Sequence, residues 1–357
     1  MSVLWMKPTP RRMASWLAAA ALALAATLAA ICPAYAGVGL SSIPATEQDG
    51  PVTVFYPSAD PDQTTTRGPF TLQVAPRGAP VKGNGRLVVI SHGSGGSPWV
   101  HSDAARVLAQ AGFVVAMPEH RGDNYQDSSQ TGPASWQQRP AEVSRAIDAI
   151  GRDARFAPLL DLQKVGVYGM SAGGHTALTL AGGAWSRGNL KRHCVANIKE
   201  DFATCAGPNV RQTGGSLDAL KRSVALSVID LKLDDDTLHT HQDPRIAAAV
   251  AGVPFAADFD MPSLAAPRVP LALITAGRDI WLTPKFHSER VLAACKTCVH
   301  LAHLPTAGHG ALISPLPPGL SGISAELIND PPGFNRAQMP AVDVKIAAFF
   351  REQLVQP

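Results

Sequence analysis

The stretch Gly169-Met170-Ser171-Ala172-Gly173 decides the fold, because it joins a short strand pattern to a helix pattern. The run before it, 164–168, is apolar and β-favouring, and the run after it, 174–181, has the composition of a buried helix. A serine on such a sharp strand-to-helix turn is held out at the end of a sheet, where its hydroxyl can attack. Small residues two before and two after the serine are needed, because the turn leaves no room for side chains. The stretch therefore predicts a nucleophilic serine.

Strand and helix patterns alternate on both sides of this turn. After opening antiparallel strands within 37–81, continuous apolar runs of the kind buried on both faces of a sheet predict strands at 86–90, 113–117, 246–253, 269–275 and 299–304. Helical patterns lie at 102–111, 134–155, 284–296 and 340–354. The alternation predicts an α/β fold, with a mostly parallel central sheet and helices on both faces.

The pattern changes between 184 and 243. This stretch is polar and contains two cysteines and the acidic run Asp234-Asp235-Asp236. It is interpreted as an insertion, with a role as a lid left open, within one α/β domain spanning 37–357.

Residues 1–36 have the pattern of a removable export signal. The start carries basic residues and no acidic ones, an apolar stretch runs from about 16 to 31, and Ala34-Tyr35-Ala36 is typical of a cleavage site. A membrane anchor is the alternative, but the apolar stretch is short for a spanning helix. We therefore expect an exported protein, periplasmic or secreted, without a stable membrane anchor after cleavage. The Sec and twin-arginine routes both stay open.

The net charge indicates no nucleic-acid partner. The whole chain has a formal charge of +3, but Lys7, Arg11 and Arg12 belong to the predicted signal. Without them, 28 basic residues stand against 28 acidic ones. A neutral chain lacks the positive field that nucleic-acid binding requires. Oligomeric state is not encoded in any recognisable pattern.

Four cysteines follow the predicted signal: Cys194, Cys205, Cys295 and Cys298. An even number in an exported protein indicates two disulfides. Three pairings are open, of which Cys194–Cys205 with Cys295–Cys298 is the local one. The Cys-x-x-Cys spacing of the second pair also admits redox or metal chemistry, but no thioredoxin-like context or second such motif accompanies it.

A serine nucleophile needs a base, and the base needs a carboxylate to orient it. Asp279 follows the strand pattern at 269–275, and His309 lies between two glycines just after the strand at 299–304. We predict Ser171 as nucleophile, Asp279 as acid and His309 as base. Asp258 and Asp260, which follow an earlier strand, are kept as alternatives for the acid.

The stretch Ser91-His92-Gly93-Ser94-Gly95-Gly96 directly follows a predicted strand. A glycine-rich turn there can point a backbone N–H at a developing negative charge. We assign the N–H groups of Ser94 and Ala172 to this oxyanion hole. Trp99 and Trp281, close in sequence to the oxyanion turn and to Asp279, are candidates for substrate contacts.

Four other histidines are expected to have roles other than that of the catalytic base. His92 is expected to support the turn, His175 to pack locally and His303 to lie within the last strand. His120 stands in a polar loop at a strand end, where it could border the active-site cleft.

With these residues in place, the sequence resembles the α/β-hydrolase superfamily, within it the dienelactone hydrolase-like group, and is also similar to platelet-activating-factor acetylhydrolases and, more distantly, bacterial polyester hydrolases. The resemblance runs from about 51 to 354 and implies the same triad and oxyanion donors. Two departures limit what it implies about substrate. True dienelactone hydrolases use a cysteine where this chain has Ser171, and platelet-activating-factor-type enzymes carry a histidine where this chain has Met170.

The sequence as a whole predicts a serine hydrolase that cleaves carboxylic esters through an acyl-enzyme, without a metal or organic cofactor. Its substrate is expected to be a small-molecule, lipid or polymer ester. Amide hydrolysis or acyl transfer by the same triad is one alternative. A binding protein on a hydrolase scaffold that has lost its activity is the other.

Overall fold

Ten strands form one sheet in the computed structural model, which describes residues 35–356. The strands are β1 (Gly37–Ile43), β2 (Val52–Ser58), β3 (Gln63–Arg67), β4 (Phe70–Pro76), β5 (Leu87–Ser91), β6 (Val114–Pro118), β7 (Val165–Met170), β8 (Ile246–Gly252), β9 (Leu271–Ala276) and β10 (Val299–Leu304). Their order is β10-β9-β8-β7-β5-β6-β2-β1-β4-β3. The six strands β10-β9-β8-β7-β5-β6 of this order all pair in parallel with their neighbours. Strand β2 pairs antiparallel with both β6 and β1. The predicted mostly parallel sheet is confirmed.

Helices cover both faces of this sheet. They are α1 (Ser102–Gln110), α2 (Pro133–Arg152), α3 (Ala172–Leu180), α4 (Arg187–Asn197), α5 (Phe202–Ala206), α6 (Asp218–Lys232), α7 (Met261–Ala265), α8 (Ser288–Ala294), α9 (Gly322–Ile328) and α10 (Met339–Val355). The buried apolar side chains of α1 and α10 belong to one core cluster, and those of α2, α3 and α8 belong to another. The two clusters lie on opposite faces because successive strand residues point to opposite sides.

The parallel strands are buried on both faces, as their continuous apolar sequences predict. All five residues of β5 and all six of β7 and β9 are buried. Parallel strands end at the same edge of a sheet, so the loops that follow β5, β7, β9 and β10 meet there. Each residue assigned to the predicted triad and oxyanion hole lies at or just after one of these strand ends.

Two local differences from the predicted elements have simple causes. Strand β3 is polar and exposed, so it lacks the hydrophobic signal of a buried strand, and it forms only through its pairing with β4. The helix predicted over 284–296 is a 3₁₀ turn at Pro284–Phe286 followed by α8. The break is at His287, where φ is −121° and ψ is −100°, and its ring accepts a hydrogen bond from the Ala256 N–H at 2.9 Å.

The segment between 184 and 243 contains the helices α4, α5 and α6. A disulfide between Cys194 and Cys205 joins α4 to α5, and a second one joins Cys295 to Cys298 between α8 and β10. The structure therefore contains the local one of the three pairings left open by the sequence.

The predicted export signal falls almost entirely on residues 1–34, which lie outside the described residues. Within residues 35–356, no helix is both long and apolar enough to cross a membrane.

A buried carboxyl group on α10 predicts how stability changes with pH. Burial, with Asp103 of α1 nearby, raises the pKa of Asp343 from an ordinary 3.8 to about 7. Because the folded chain then binds this proton more tightly than the unfolded chain, stability falls as the pH rises through this interval. Asp343→Asn should therefore match the wild type near pH 4 and be more stable above pH 7, by at most about 4 kcal/mol.

Urea unfolding of both proteins at about pH 4.5 and at pH 8 measures this difference directly. Groups that titrate identically in the two proteins cancel in the comparison. A free-energy difference that stays the same at the two pH values would contradict the assignment.

Candidate active site

Ser171 occupies a strained turn between β7 and α3. Its φ is 58° and its ψ is −117°, a region that residues other than glycine rarely adopt. The backbone is held there from both sides. The Ser171 N–H donates to the Gly252 carbonyl at 3.0 Å, and the Ser171 carbonyl accepts from the Phe255 N–H at 3.1 Å. Strain of this kind costs about 1–3 kcal/mol and persists where the surroundings fix it, most often at functional sites.

Two glycines make this turn sterically feasible. A Cβ on Gly169 would lie 1.9 Å from the Gly173 carbonyl oxygen, and a Cβ on Gly173 would lie 1.9 Å from the Ser91 carbonyl oxygen. Neither backbone contact can be relieved by moving a flexible side chain. The spacing of glycines around Ser171 thus follows from the close approach of α3 to β7 and β5.

The structure brings Ser171, His309 and Asp279 into one hydrogen-bonded chain. His309 Nε2 lies 2.9 Å from Ser171 Oγ, and His309 Nδ1 lies 2.7 Å from Asp279 Oδ2. The histidine is 7% exposed and the aspartate 4%. A carboxylate on Nδ1 favours the tautomer with its proton there, which leaves Nε2 free to accept the serine proton.

Asp279 is oriented by the loop that follows β9. Its Oδ1 accepts hydrogen bonds from the N–H groups of Trp281 and Leu282, both at 2.9 Å. Because Oδ1 is engaged in this way, Oδ2 faces the imidazole of His309. The carboxylate thus has all its contacts satisfied while it is buried.

The predicted oxyanion donors lie on the two elements that flank Ser171. Ala172 is the first residue of α3, where backbone N–H groups have no partner within the helix. On the other side, a Cβ built on Gly93 would lie 3.4 Å from Ser171 Cβ. The N–H of Ser94, the next residue, donates to no other group within residues 35–356. Both N–H groups are therefore available to a substrate oxygen near Ser171.

His92 and His303 make structural contacts. His92 donates from Nδ1 to the Gly93 carbonyl at 2.7 Å and accepts at Nε2 from the His120 N–H at 3.1 Å. Burial holds the pKa of His92 well below its ordinary value, so the ring is neutral and supports the turn as expected. His303 lies in β10, with Nδ1 2.8 Å from Thr275 Oγ1.

His120 does not border a cleft, contrary to one of the sequence interpretations. It is fully buried, with Nε2 at 2.7 Å from Ser91 Oγ and Nδ1 at 2.5 Å from Glu142 Oε2. Burial, followed by the nearby Arg139 charge, lowers its pKa well below the ordinary value. The polar composition of its loop reflects partners inside the protein and not solvent.

Neither alternative acid hydrogen-bonds to His309 within residues 35–356. Asp258 Oδ2 lies 3.0 Å from His175 Nε2, and both residues are fully buried. Asp260 immediately precedes α7, and its backbone carbonyl accepts from the Ser263 hydroxyl at 2.6 Å. Of the three predicted aspartates, only Asp279 hydrogen-bonds to His309.

The two tryptophans have different surroundings. Trp99 packs partly buried against the core beside α1. Trp281 is 8% exposed, its indole N–H donates to the Glu326 carbonyl at 3.2 Å, and the Arg211 guanidinium lies 5.3 Å from its ring. Trp281, in the same loop as Asp279, thus contacts α9 and Arg211. A substrate contact by either tryptophan stays a prediction.

Asp123 and Arg139, which contact residues 92–95 after β5, were not identified from the sequence. Asp123 follows β6, and Arg139 lies on α2, three residues after Trp136 and four before Val143, both buried. A charged residue at a core-facing helical position was the signal that could have found Arg139.

Comparison with known proteins agrees with this architecture. The model of the dienelactone hydrolase family matches residues 71–192, about a third of the chain, including Ser171. No curated protein matches the chain significantly. Among solved structures, a ferulic acid esterase from Streptomyces cinnamoneus is 17% identical to this chain. The match covers 91% of this chain and 92% of the esterase, with a TM-score of 0.56. At this identity the likeness establishes a shared fold.

Proposed function

We propose that this chain, a dienelactone hydrolase-like α/β-hydrolase, is a serine esterase that cleaves carboxylic esters through an acyl-enzyme on Ser171. One observation carries the proposal: the hydrogen-bonded chain from Ser171 Oγ through His309 to Asp279, at 2.9 and 2.7 Å. Two N–H groups support it further: that of Ser94, which has no hydrogen-bond partner among residues 35–356, and that of Ala172 at the start of α3, next to the serine.

In the first half of the reaction, His309 Nε2 takes the proton of Ser171 while Oγ bonds to the ester carbonyl carbon. The carbonyl oxygen becomes an oxyanion, which the N–H groups of Ser94 and Ala172 stabilise. When the intermediate collapses, the bond to the alcohol oxygen breaks and His309 gives that oxygen its proton. Asp279 stabilises the imidazolium that exists between these two steps.

In the second half, water takes the place of the alcohol. His309 removes a proton from the water, whose oxygen bonds to the acyl carbon. Collapse of the second intermediate returns the proton to Ser171 and releases the carboxylic acid. Two barriers replace one larger barrier, and the same oxyanion donors stabilise both intermediates.

A water-insoluble lipid or polyester is the second candidate substrate, and a surface feature of α6 favours it. Side chains three and four residues apart on this helix are exposed along one side: Leu217 (63%), Leu220 (60%), Val224 (55%), Val228 (46%) and Leu231 (83%). The start of α6 is linked to the loop that carries Asp279. Lys221 donates to the carbonyl of Arg211, and the Arg211 guanidinium lies over the ring of Trp281, which is in that loop. Exposed apolar side chains near an active site are suited to contact with an apolar substrate.

An exported location is proposed for this activity. The pattern of residues 1–36 supports it, as do the two disulfides, which persist in oxidising compartments and are rare in the cytosol.

Hydrolysis of p-nitrophenyl esters from acetate to palmitate, by protein beginning at Gly37, tests the proposal and separates the substrate classes. We expect turnover that disappears in Ser171→Ala. A maximum at acetate or butyrate supports a small-ester esterase, and a maximum at long chains supports a lipid or polyester substrate. Absence of turnover at every chain length in folded protein would contradict the proposed esterase and favour a binding protein.

A further inference from the structure

A buried ion pair lies directly beneath the oxyanion loop, defined here as residues 92–96. Arg139 Nη2 is 2.9 Å from Asp123 Oδ2, and both side chains are completely buried. Two charges inside a protein are costly unless each is paired and hydrogen-bonded. The other hydrogen bonds of Asp123 and Arg139 therefore show which part of the protein this pair stabilises.

Four of the six hydrogen bonds that these two side chains make with other groups of the described chain are with the oxyanion loop. Asp123 Oδ1 accepts from the Ser94 hydroxyl at 2.6 Å and from the Gly95 N–H at 2.9 Å. Arg139 donates to the carbonyl of His92 and, at 3.4 Å, to that of Gly93. The carboxylate thus binds the donors of the loop and the guanidinium binds its acceptors. Arg139 also donates to Ser135 Oγ and to the Asp123 carbonyl.

The Gly93 carbonyl connects these contacts to the reaction. It accepts from Arg139 and also from the His92 ring at 2.7 Å and the Gly96 N–H at 3.1 Å. A trans peptide is planar, so its C=O and N–H point in opposite directions. Fixing this carbonyl toward the buried pair therefore fixes the N–H of the same peptide, that of Ser94, away from it.

We propose that Asp123 and Arg139 are positioning residues of the oxyanion hole, which hold the Ser94 N–H in the orientation that stabilises the tetrahedral intermediate. The inference rests on the proposed esterase function. Donors that are already oriented need no reorganisation as charge develops, and this preorganisation is a large part of their effect.

The charge state of Asp123 agrees with this role. Burial raises its pKa, but the Arg139 guanidinium and hydrogen bonds that include those from Ser94 and Gly95 outweigh burial and hold the pKa below its ordinary value. The carboxylate is therefore ionised at neutral pH, which strengthens its hydrogen bonds with the two loop donors.

Asp123→Asn tests the proposal, because the amide keeps the shape of the side chain but removes its charge and one acceptor. Loss of a single oxyanion donor costs roughly 10²–10³ in rate, and a misoriented donor should cost less. We expect kcat for p-nitrophenyl acetate to fall roughly 10–100-fold with KM within threefold of the wild type. The inhibition constant of an aryl trifluoromethyl ketone should rise by the same factor, because its hemiketal oxygen occupies the oxyanion hole.

Asp243→Asn is the matched control. Asp243 is also buried and paired with an arginine, Arg245 at 2.7 Å, but it lies before the amino end of β8, away from the strand ends that form the site. Both variants lose a buried charge, so both are expected to melt at lower temperature. Only Asp123→Asn should lower kcat and weaken the binding of the ketone inhibitor.

Arg139→Lys provides a second variant, which keeps the charge and loses the forked contacts with the two loop carbonyls. It should reproduce the kinetic effect even if Asp123→Asn does not fold. The inference would be overturned if either variant folds and keeps kcat within twofold of the wild type. It would also be overturned if kcat falls while the inhibition constant of the ketone does not rise by a similar factor. A wild type whose activity does not depend on Ser171 would instead refute the esterase proposal itself, so the two failures are distinguishable.

Discussion

Replacement of Ser171 by alanine should lower kcat for a short acyl ester by roughly 10⁴–10⁶-fold, as expected when a nucleophile that acts together with its base is removed. The substitution removes only the hydroxyl group, which hydrogen-bonds to His309 Nε2. Alanine also removes no hydrogen bond of the strained backbone, because the Gly252 and Phe255 contacts use main-chain atoms. The fold should therefore persist. Steady-state kinetics and thermal melting of both proteins measure the two effects.

Ser144→Ala is a suitable control for this variant. Ser144 lies on α2 and its hydroxyl contacts the His241 ring at 2.9 Å, so it also loses one hydroxyl contact to a histidine. Its kcat should stay within about twofold of the wild type. More than a hundredth of wild-type activity remaining in Ser171→Ala would rule out this serine as the nucleophile.

Asp279→Asn should lower kcat by roughly 10⁴-fold, because an amide in this position favours the wrong tautomer of the base and cannot stabilise its charged form. The asparagine oxygen can still accept from the N–H groups of Trp281 and Leu282. Its amino group would then face His309 Nδ1 as a donor, so the imidazole proton would move to Nε2. A protonated Nε2 cannot accept the proton of Ser171. Kinetics at several pH values test this, because hydroxide should partly replace the missing base at high pH.

Asp258→Asn distinguishes Asp279 from Asp258, one of the two alternative acids. Asp258 is as deeply buried as Asp279 and also contacts a histidine, but that histidine is His175. We expect kcat close to the wild type in the folded variant, with a lower melting temperature. Equal losses of kcat in the two variants would contradict the assignment of Asp279.

The elements of the sheet could be predicted because burial on both faces leaves a continuous apolar run. This signal identified β5, β7 and β9 within one or two residues. Strand β3 gave no such signal, since four of its five polar residues are exposed and the strand depends on β4 for its pairing. The break at His287 also depends on a distant partner, the Ala256 N–H.

The grouping of the candidate triad residues at one edge of the sheet was also predictable, for a related reason. Ser171, Asp279 and His309 follow strand ends, and parallel strands bring such residues to one edge of the sheet. The support beneath the oxyanion loop was not predictable in this way. Asp123 and Arg139 come from different elements, and only their burial in the folded chain shows that they contact the loop.

Covalent labelling with a fluorophosphonate probe tests the central claim most directly. Intact-mass measurement gives the number of probe groups per chain, and peptide mapping identifies the residue that carries the probe. We expect one probe group per chain, attached to Ser171. Labelling should be absent in Ser171→Ala and much slower in Asp279→Asn. An ester-hydrolysing protein that stays unlabelled, or is labelled at another residue, would contradict this claim.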